Sequence, residues 1–329
     1  MTDIVPDAAP TSANDPQRAM TGASLTNRVA VVIPCYGQAH LLPEAIESVL
    51  AQTHPVAELF IIDDGSPDDV AAVARRYPNA RYIRQENQGL AAARNTGLHA
   101  ATADFVLFLD SDDRLLPDAV AAGLACFAGC PDCAFVFGNF RFMTEDGTPG
   151  AERVRPPVEG GDLYHALLRQ NHVEMTSTVL FRRDLLAAEG GFRRDLRSAE
   201  DYELLLRLAR SHPARGHDTL VAEYRRYADP GASLSNSPAR MLTTTMRVLH
   251  AQWPYVRGDA HRSAALRRGI RFFQDYYGGE LIDHTRALAR AGAWGRAAGA
   301  AVILLRHYPR GIITRIARRT RNALHTATG

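Results

Sequence analysis

The sequence predicts an α/β fold in which a mostly parallel sheet is flanked by helices, with a helical extension at the C-terminal end. From Arg28 onward, short apolar runs alternate with segments of helical period. This alternation is typical of βαβ units built around a parallel sheet. After a Pro/Ser-rich stretch at 229–238, the remaining residues are rich in Arg and have the character of helices. A chain of 329 residues is long enough for one large domain with such an extension.

The strands and helices of the α/β part are expected to alternate up to residue 137. The predicted strands are short apolar runs at 29–33, 59–62, 80–84, 105–109, 134–137 and 176–181. The predicted helices have apolar residues at helical spacing and cover 41–52, 68–76, 90–100, 117–127 and 199–210. In the first helix Ile46, Val49 and Leu50 are expected to face inward, and Pro117 suits the first turn of another. Beyond Asn139, antiparallel strands and a Pro/Gly-rich loop at 147–161 are expected.

Composition sets the remaining boundaries. Residues 1–26 are rich in Thr, Ser, Asp, Pro and Ala and lack an apolar core, so we expect a disordered leader. Residues 27–235 would form the main domain and residues 236–329 the Arg-rich helical extension. No run approaches the roughly 20 apolar residues of a membrane-spanning helix. We therefore expect a cytoplasmic protein.

Charge is distributed unevenly along the chain. The net charge is +2, yet residues from 240 onward hold 16 Arg against 4 acidic residues, and the preceding residues hold 22 Arg against 32. An acidic body thus carries a basic tail. At about 100° per residue the tail separates an apolar side from an Arg side. The apolar side holds Ile312, Ile313, Ile316, Ala317, Ala323 and Leu324, and the Arg side holds Arg315, Arg318, Arg319 and Arg321.

Two interpretations of this tail remain open. As an interfacial helix it would make peripheral contact with an anionic membrane at the inner face of the cytoplasmic membrane. Alternatively, the helix packs on the main domain with its Arg residues in water. Nucleic acid is not expected as a partner, because no base-stacking aromatic residues interleave the final Arg cluster.

Three of the four cysteines share a C-x3-C-x2-C spacing. Cys126, Cys130 and Cys133 match the spacing associated with iron–sulfur clusters in radical enzymes. However, no fourth thiol or His follows closely, and a spacing alone is weak support for a cluster. We therefore expect buried free thiols.

An apolar run that ends in three carboxylates is the most informative feature of the sequence. Residues 105–109 predict a buried strand, and Asp110, Asp112 and Asp113 follow it directly. Carboxylates crowded in this way repel one another unless a hard divalent cation lies between them. Mg²⁺ or Mn²⁺ held by one or two carboxylates keeps positions that phosphate oxygens can fill. The alternative is a polar turn whose Asp side chains cap the next helix.

Other polar residues follow the first two predicted strands. Ligands of open α/β sheets bind outside the carboxyl ends of the strands, where Tyr36 could stack on a base and Asp64 could accept from a base N–H. Arg94 could meet a diphosphate. Each also has an ordinary structural interpretation: packing for Tyr36, a helix cap for Asp63 or Asp64, and a solvated helix face for Arg94. Dinucleotide-binding and P-loop glycine motifs are absent from the sequence.

Five segments, in this order and spacing, resemble family 2 glycosyltransferases of the GT-A fold. They are VVIPCYG at 31–37, SVLAQT at 48–53, IDDGS at 62–66, ENQGLAAARNTG at 86–97 and LDSDD at 109–113. The resemblance covers roughly residues 28–230 and implies an inverting transferase that uses a nucleotide-diphosphate sugar, with a UDP-sugar favoured, and Mg²⁺ or Mn²⁺. It places Pro34, Tyr36 and Asp64 near the base, Arg94 near the nucleotide, Asp112 at the ribose and metal, and Asp113 at the metal.

The resemblance also implies a general base at the start of a late helix. Glu200 and Asp201 occupy that place, and Asp201 would take the proton of the acceptor hydroxyl. Otherwise the pair is an ordinary acidic first turn of a helix. One departure concerns Tyr227, which stands where relatives often have His before Ser-Leu-Ser; His217 or His172 could compensate.

Three functions remain open at the level of sequence. The first is transfer of a single sugar to a glycan, lipid-linked or protein acceptor, because a processive Gln-x-x-Arg-Trp motif and membrane spans are absent from the sequence. The second is a nucleotidyltransferase of similar fold, which would normally show a Gly- and Lys/Arg-rich phosphate loop after the first strand. The third is a catalytically silent nucleotide-sugar-binding protein, which the acidic residues at 112, 113 and 201 argue against.

Overall fold

The structure is a computed structural model that describes residues 27–155, 158, 162–227 and 237–311. The expected leader at 1–26 and the expected amphipathic helix beyond Gly311 lie outside these residues. The described residues form nine strands and eleven α-helices. The strands are β1 Val29–Cys35, β2 Glu58–Asp63, β3 Ala80–Arg84, β4 Phe105–Phe108, β5 Arg114–Leu115, β6 Phe135–Met143, β7 Pro149–Arg153, β8 Val179–Arg182 and β9 Ala214–Arg225. The helices are α1 Leu42–Leu50, α2 Val70–Ala74, α3 Leu90–Ala100, α4 Ala119–Ala128, α5 Leu163–Arg169, α6 Arg183–Ala188, α7 Glu200–Ser211, α8 Pro238–His250, α9 Trp253–Val256, α10 Ala260–Arg290 and α11 Trp294–His307.

The strands form one sheet in the order β3-β2-β1-β4-β8-β6-β9-β5, with β7 paired to the side of β6. The first four strands of this order are parallel, as the alternation of strands and helices predicted. Strand β8 then runs antiparallel to both β4 and β6, whereas β6 and β9 are parallel. The parallel half therefore ends at β4, and the carboxylates that follow β4 lie where the sheet changes direction.

The central strands are buried because helices cover both faces of the sheet. Every residue of β1 is buried. Side chains of successive residues point to opposite faces of a strand. Accordingly Ala30 and Val32 join one apolar core, and Val31 and Ile33 join the other. The sheet therefore has an apolar core on each face, because its parallel strands are continuous apolar runs.

Helix α1 follows the prediction except at its last residue. Ile46 and Val49 are buried as expected, together with Leu42 and Ala45. Leu50 is 54% exposed, so its predicted inward position was wrong. At about 100° per residue the four buried side chains lie within an arc of about 100°, and Leu50 lies about 90° from the centre of that arc.

Three predicted boundaries are corrected from residue 134 onward. The strand predicted at 134–137 continues to Met143, and part of the predicted loop forms the strand β7 at Pro149–Arg153. All residues of β7 are exposed, and its recorded pairing is with β6. Pro and Gly are tolerated on such an edge strand, so their presence did not prevent pairing. The strand predicted at 176–181 begins instead with a 3₁₀ turn, Thr176–Thr178, which precedes β8.

The cysteine prediction was wrong for two residues. Cys130 and Cys133 form a disulfide, with their Cα atoms 5.5 Å apart. The reason is a tight turn in which the N–H of Cys133 donates to the carbonyl of Cys130, bringing the two side chains within bonding reach. Cys35 and Cys126 are free thiols, of which Cys35 is buried and Cys126 half-buried.

The C-terminal helices pack directly on the α/β part. Helix α10 lies against α5, and Phe273 of α10 packs on Tyr202 of α7 with ring centroids 5.6 Å apart. Gly269 makes the approach to α5 possible, because a Cβ atom there would lie 1.9 Å from the carbonyl oxygen of Leu168. No helix in the described ranges combines the length and apolar character needed to cross a membrane.

Substituting Gly269 tests this packing. Gly269→Ala should lower the free energy of unfolding by about 1–3 kcal/mol, because a methyl group cannot fit against backbone without a shift of α10. Gly299→Ala in α11 is the matched control, since its Cβ would meet nothing within 4 Å. That change should leave stability unchanged or raise it by about 0.5–1 kcal/mol. Equal urea-unfolding midpoints for the two variants would contradict the close contact between α10 and α5.

Candidate functional site

The carboxylates after β4 are gathered by a tight turn. The N–H of Asp113 donates to the carbonyl of Asp110 at 3.0 Å, which brings Asp110, Asp112 and Asp113 together. Burial raises the pKa of Asp112, and the negative charge of Asp110 adds to the rise. Burial also raises the pKa of Asp113 well above its usual range, with Asp112 and Asp110 contributing. These three carboxylates therefore repel one another, as expected for a group that binds a cation.

One carboxylate oxygen of this cluster has no hydrogen-bond partner and is available to a divalent metal. Asp113 Oδ2 is buried and has no hydrogen-bond partner, whereas Asp113 Oδ1 accepts from the N–H of Arg225 at 2.9 Å. Carboxylate oxygens are ligands that Mg²⁺ and Mn²⁺ prefer. Within the described part of the chain no group of three acidic, His or Cys side chains is arranged to hold a metal ion. The unpartnered Asp113 Oδ2 is an oxygen atom that a cation could bind.

Tyr227 completes the surroundings of Asp112. Its hydroxyl donates to Asp112 Oδ2 at 2.9 Å, and Gln38 Nε2 donates to the same oxygen at 3.0 Å. Burial and the charge of Asp112 raise the pKa of Tyr227, so the phenol stays protonated as a donor. Neither candidate His shares this position. His217 precedes Arg225 by eight residues of β9, roughly 25 Å of strand. Burial lowers the pKa of His172, and the charges that add to this shift are those of Arg155 and Arg169 rather than those of the carboxylates after β4.

Sequence reasoning did not identify Arg225 as part of this site. Its side chain is 1% exposed, and its Nε donates to the carbonyl of Asp112 at 2.8 Å. Its Nη1 donates to the carbonyl of Glu145 and its Nη2 to Glu44 Oε2, each at 2.7 Å. Arg225 thus fixes the backbone that presents Asp112 and Asp113. Its signal in the sequence is its position two residues before Tyr227, where this chain departs from relatives that have His.

The predicted base-binding residues lie at the carboxyl ends of β1 and β2. Pro34 is buried within β1, and Tyr36 is 55% exposed, which excludes the packing interpretation of its ring. Asp64 is 4% exposed and accepts three hydrogen bonds from the loop before α3. The donors are Gln85 Nε2 at 2.7 Å, the N–H of Gln88 at 2.9 Å and the N–H of Gly89 at 2.8 Å.

These contacts exclude the interpretation of Asp64 as a helix cap. Helix α2 is capped by Asp69, whose Oδ1 accepts from the N–H of Ala72 at 2.9 Å, so neither Asp63 nor Asp64 is its cap. Asp64 instead braces the segment that leads into α3. A carboxylate has about four acceptor sites, so one remains for a ligand. Its predicted contact with a base stays a prediction.

Arg94 is fully enclosed, contrary to the solvated-face interpretation. Its side chain is 2% exposed and donates to Asp110 Oδ1 at 2.7 Å and to Glu200 Oε1 at 2.8 Å. Burial opposes the positive charge, yet the charges of Asp110, Glu200 and Asp201 outweigh it and raise the pKa of Arg94. One guanidinium therefore joins the carboxylate cluster after β4 to the acidic pair of α7. Its predicted contact with the nucleotide stays a prediction.

The acidic pair opens α7 after an unusual backbone conformation. Ala199 precedes the helix with a φ of 54°, in the left-handed region that costs a non-glycine residue about 1 kcal/mol. Asp201 is half-buried, and its Oδ2 accepts from the hydroxyl of Thr176 at 3.4 Å. Burial raises the pKa of Glu200 to about 7 and also raises that of Asp201. Such a shift favours a carboxylate that accepts a proton near neutral pH.

Comparison with known families covers the part of the chain that carries Arg94 and the carboxylates after β4. Residues 30–189 match the model of glycosyl transferase family 2. This part of the chain is a family 2 glycosyl transferase domain. The resemblance drawn from the five sequence motifs is thereby confirmed, and three of these motifs, at 31–37, 62–66 and 109–113, lie at the carboxyl ends of strands.

Similar proteins extend the comparison. An uncharacterized glycosyltransferase of Rickettsia felis is 31% identical over 205 residues, which are 60% of this chain and 33% of the relative. The chain thus spans about a third of that relative. S. aureus TarS 1–349 in complex with UDP-GlcNAc is 20% identical, with a TM-score of 0.59 over 74% of this chain and 71% of that one.

A second solved structure supports the same fold. It is the mannosyltransferase PcManGT of Pyrobaculum calidifontis in complex with GDP-Man and Mn²⁺. It is 22% identical, with a TM-score of 0.57 over 88% of this chain and 83% of that one. At this level of identity the likeness concerns the fold alone, and it confirms the predicted GT-A fold.

The link through Arg94 predicts a stability effect that depends on pH. Arg94→Met should destabilise the protein by about 3–5 kcal/mol at pH 8, because it leaves buried carboxylates unpaired. Since the pKa of Glu200 is raised to about 7, this carboxylate is protonated in the folded protein below that pH and does not need the partner. The loss attributable to Glu200 therefore grows as pH rises through 7 and is smallest at acid pH.

Urea unfolding of Arg94→Met at pH 5 and pH 8 measures this difference. Arg75→Met is the control, since Arg75 is exposed directly after α2, and it should change stability by less than about 0.5 kcal/mol at both pH values. A destabilisation by Arg94→Met that is the same at both pH values, or larger at pH 5, would contradict the buried pair.

Proposed function

We propose that the protein is an inverting glycosyltransferase that transfers a single sugar from a nucleotide-diphosphate sugar, preferentially a UDP-sugar. The acceptor is a glycan, a lipid-linked molecule or a protein. The observation that carries the proposal is the pair of salt bridges from Arg94 to Asp110 and to Glu200. Through this link the carboxylates suited to a metal and diphosphate stand beside the acidic pair suited to deprotonate an acceptor.

The donor would bind along the carboxyl ends of β1, β2 and β4. Pro34 and the exposed ring of Tyr36 would contact the base, and Asp64 would accept from it while bracing the loop before α3. Asp112 would contact the ribose. Arg94 would act near the nucleotide by holding Asp110 in place, since its own guanidinium is already paired.

Asp112 and Asp113 would hold Mg²⁺ or Mn²⁺. The unpartnered Asp113 Oδ2 and the mutual repulsion of the carboxylates support this assignment. The bound ion would neutralise the charge of the departing diphosphate. The mannosyltransferase of similar fold was solved with Mn²⁺, which supports the choice of metal. Tyr227, where relatives often have His, would orient Asp112 through its hydroxyl.

Asp201 would act as general base. It would take the proton of the acceptor hydroxyl while the oxygen attacks the anomeric carbon and the diphosphate leaves from the opposite face, which inverts the configuration. The raised pKa of Asp201 makes its carboxylate a stronger proton acceptor than an ordinary Asp side chain. Glu200, held by Arg94, would fix the first turn of α7.

We assign residues 27–235 to the catalytic domain and residues 236–329 to the extension. The proposed contact of the extension with an anionic membrane rests on the Arg-rich tail, whose residues 312–329 lie outside the described residues. Such a contact would bring the domain to a lipid-linked acceptor at the inner face of the cytoplasmic membrane.

A thermal-shift panel of nucleotide sugars, each with and without Mn²⁺, tests the donor and the metal. The melting temperature should rise with one sugar nucleotide when Mn²⁺ is present, by an amount equivalent to about 2.7 kcal/mol at one hundred times Kd. Asp112→Asn and Asp113→Asn should each abolish the Mn²⁺-dependent part of the rise and keep the fold. Asp118→Asn, an exposed change near the same turn, should retain it. A full Mn²⁺-dependent rise in the first two variants would contradict the metal assignment.

A further inference from the structure

Two aromatic side chains stand exposed on α10. Phe272 is 39% exposed and Tyr276 is 53% exposed, although large aromatic rings are usually covered in a soluble protein. Residues four apart lie on the same side of a helix, and these two rings are stacked with centroids 6.3 Å apart and an angle of 11° between their planes. The two exposed rings are named here the α10 aromatic pair.

A neighbouring face of α10 contacts a residue next to the candidate base. Phe273, the neighbour of Phe272, packs on Tyr202, which directly follows Asp201. Tyr277, the neighbour of Tyr276, has its pKa raised by burial, and the charges of Tyr276, Asp201 and Glu280 contribute. Because Asp201 acts on Tyr277, α10 passes beside the start of α7.

Tyr276 is also influenced by residues near the carboxylates after β4. The charges that act on Tyr276 include those of Arg226 and Arg153. Arg226 directly precedes Tyr227, whose hydroxyl donates to Asp112. Helix α10 thus carries the aromatic pair on one face, and with Phe273 it contacts Tyr202, the neighbour of Asp201.

We propose that the α10 aromatic pair is the acceptor subsite and that it binds a pyranose ring of a glycan. This assignment rests on the proposed function, which supplies the reacting hydroxyl. One face of a pyranose carries mainly C–H groups, which are attracted to the negative face of an aromatic ring.

Polar groups suited to sugar hydroxyls border the pair. Glu280 shares a hydrogen bond with the hydroxyl of Tyr276, and its carboxylate can accept from a ligand hydroxyl. Arg226 is exposed, and across the described ranges no acidic side chain lies within salt-bridge distance of it; its guanidinium covers the ring of Phe142 at 4.1 Å. It can donate to ring or hydroxyl oxygens. A hydrocarbon chain would have no use for either group, which favours a glycan over a lipid tail.

Binding of the full-length protein to a printed array of microbial glycans tests the assignment. The protein should bind at least one glycan, and Phe272→Ala and Tyr276→Ala should each weaken that binding roughly tenfold through the loss of one stacking ring. Tyr276→Phe keeps the ring and should retain most of the binding. Trp294→Ala is the matched control, since Trp294 is 69% exposed on α11, and it should bind as the unmodified protein does.

Two further measurements make the result decisive. The thermal shift by the sugar nucleotide should be equal in all four variants, so a failure at the acceptor subsite is distinguished from a failure of the proposed donor chemistry. Vesicles of phosphatidylcholine and phosphatidylglycerol should bind the unmodified protein and Tyr276→Ala equally. The assignment would be overturned by an array that binds nothing, by alanine variants that bind glycans normally, or by a loss confined to the vesicles.

Discussion

The buried ion pairs of Arg94 are the constraint on which the candidate site depends. A guanidinium that is 2% exposed is tolerated only when its charge is compensated, and Asp110 and Glu200 provide that compensation from β4 and α7. These residues lie far apart in sequence, so the pairs fix the helix that follows β3 to the end of one strand and to the start of a late helix. Any movement of α7 away from β4 would leave charge buried and unpaired.

Compensation of charge also explains the contacts of the carboxylates after β4. Three carboxylates follow β4, and Arg94 compensates one of them, Asp110. Arg225 and Tyr227 hold the backbone and side chain of Asp112 from the far end of the sheet. Asp113 keeps one buried oxygen without a partner, and its pKa is raised by burial and by its neighbours. The fold thus retains unfavourable negative charge where a metal ion and a diphosphate would bind.

Local patterns in the sequence were sufficient for the parallel half of the fold. The strand at 80–84 and the helix at 90–100 were predicted with both boundaries correct, because apolar spacing and flanking turns are read from neighbouring residues. The carboxylates after β4 were also located, since an apolar run that ends in acids is a local signal. The exposure of Leu50 was not predicted because it depends on the width of the buried face of α1. The edge strand β7 was not predicted because it depends on pairing with β6.

Contacts between distant segments could not be predicted in this way. Arg94 was described as a solvated helix face because nothing near it in sequence shows that Asp110 and Glu200 would enclose it. Arg225 was overlooked because its partners at Asp112 and Glu44 become neighbours only when β9 joins the sheet. The C-terminal helices gave no sign that their aromatic residues would stand beside Asp201.

The central claim is that donor binding and proton abstraction belong to separate carboxylates joined by one guanidinium. Its most direct test is Asp201→Asn, with calorimetry of donor binding and single-turnover release of the nucleoside diphosphate on one preparation. Asp184→Asn, in the first turn of α6, is the matched control. The account predicts that Asp201→Asn keeps the donor affinity and slows release by about 10² to 10⁴. A collapse of donor affinity, or release at the unmodified rate, would contradict it.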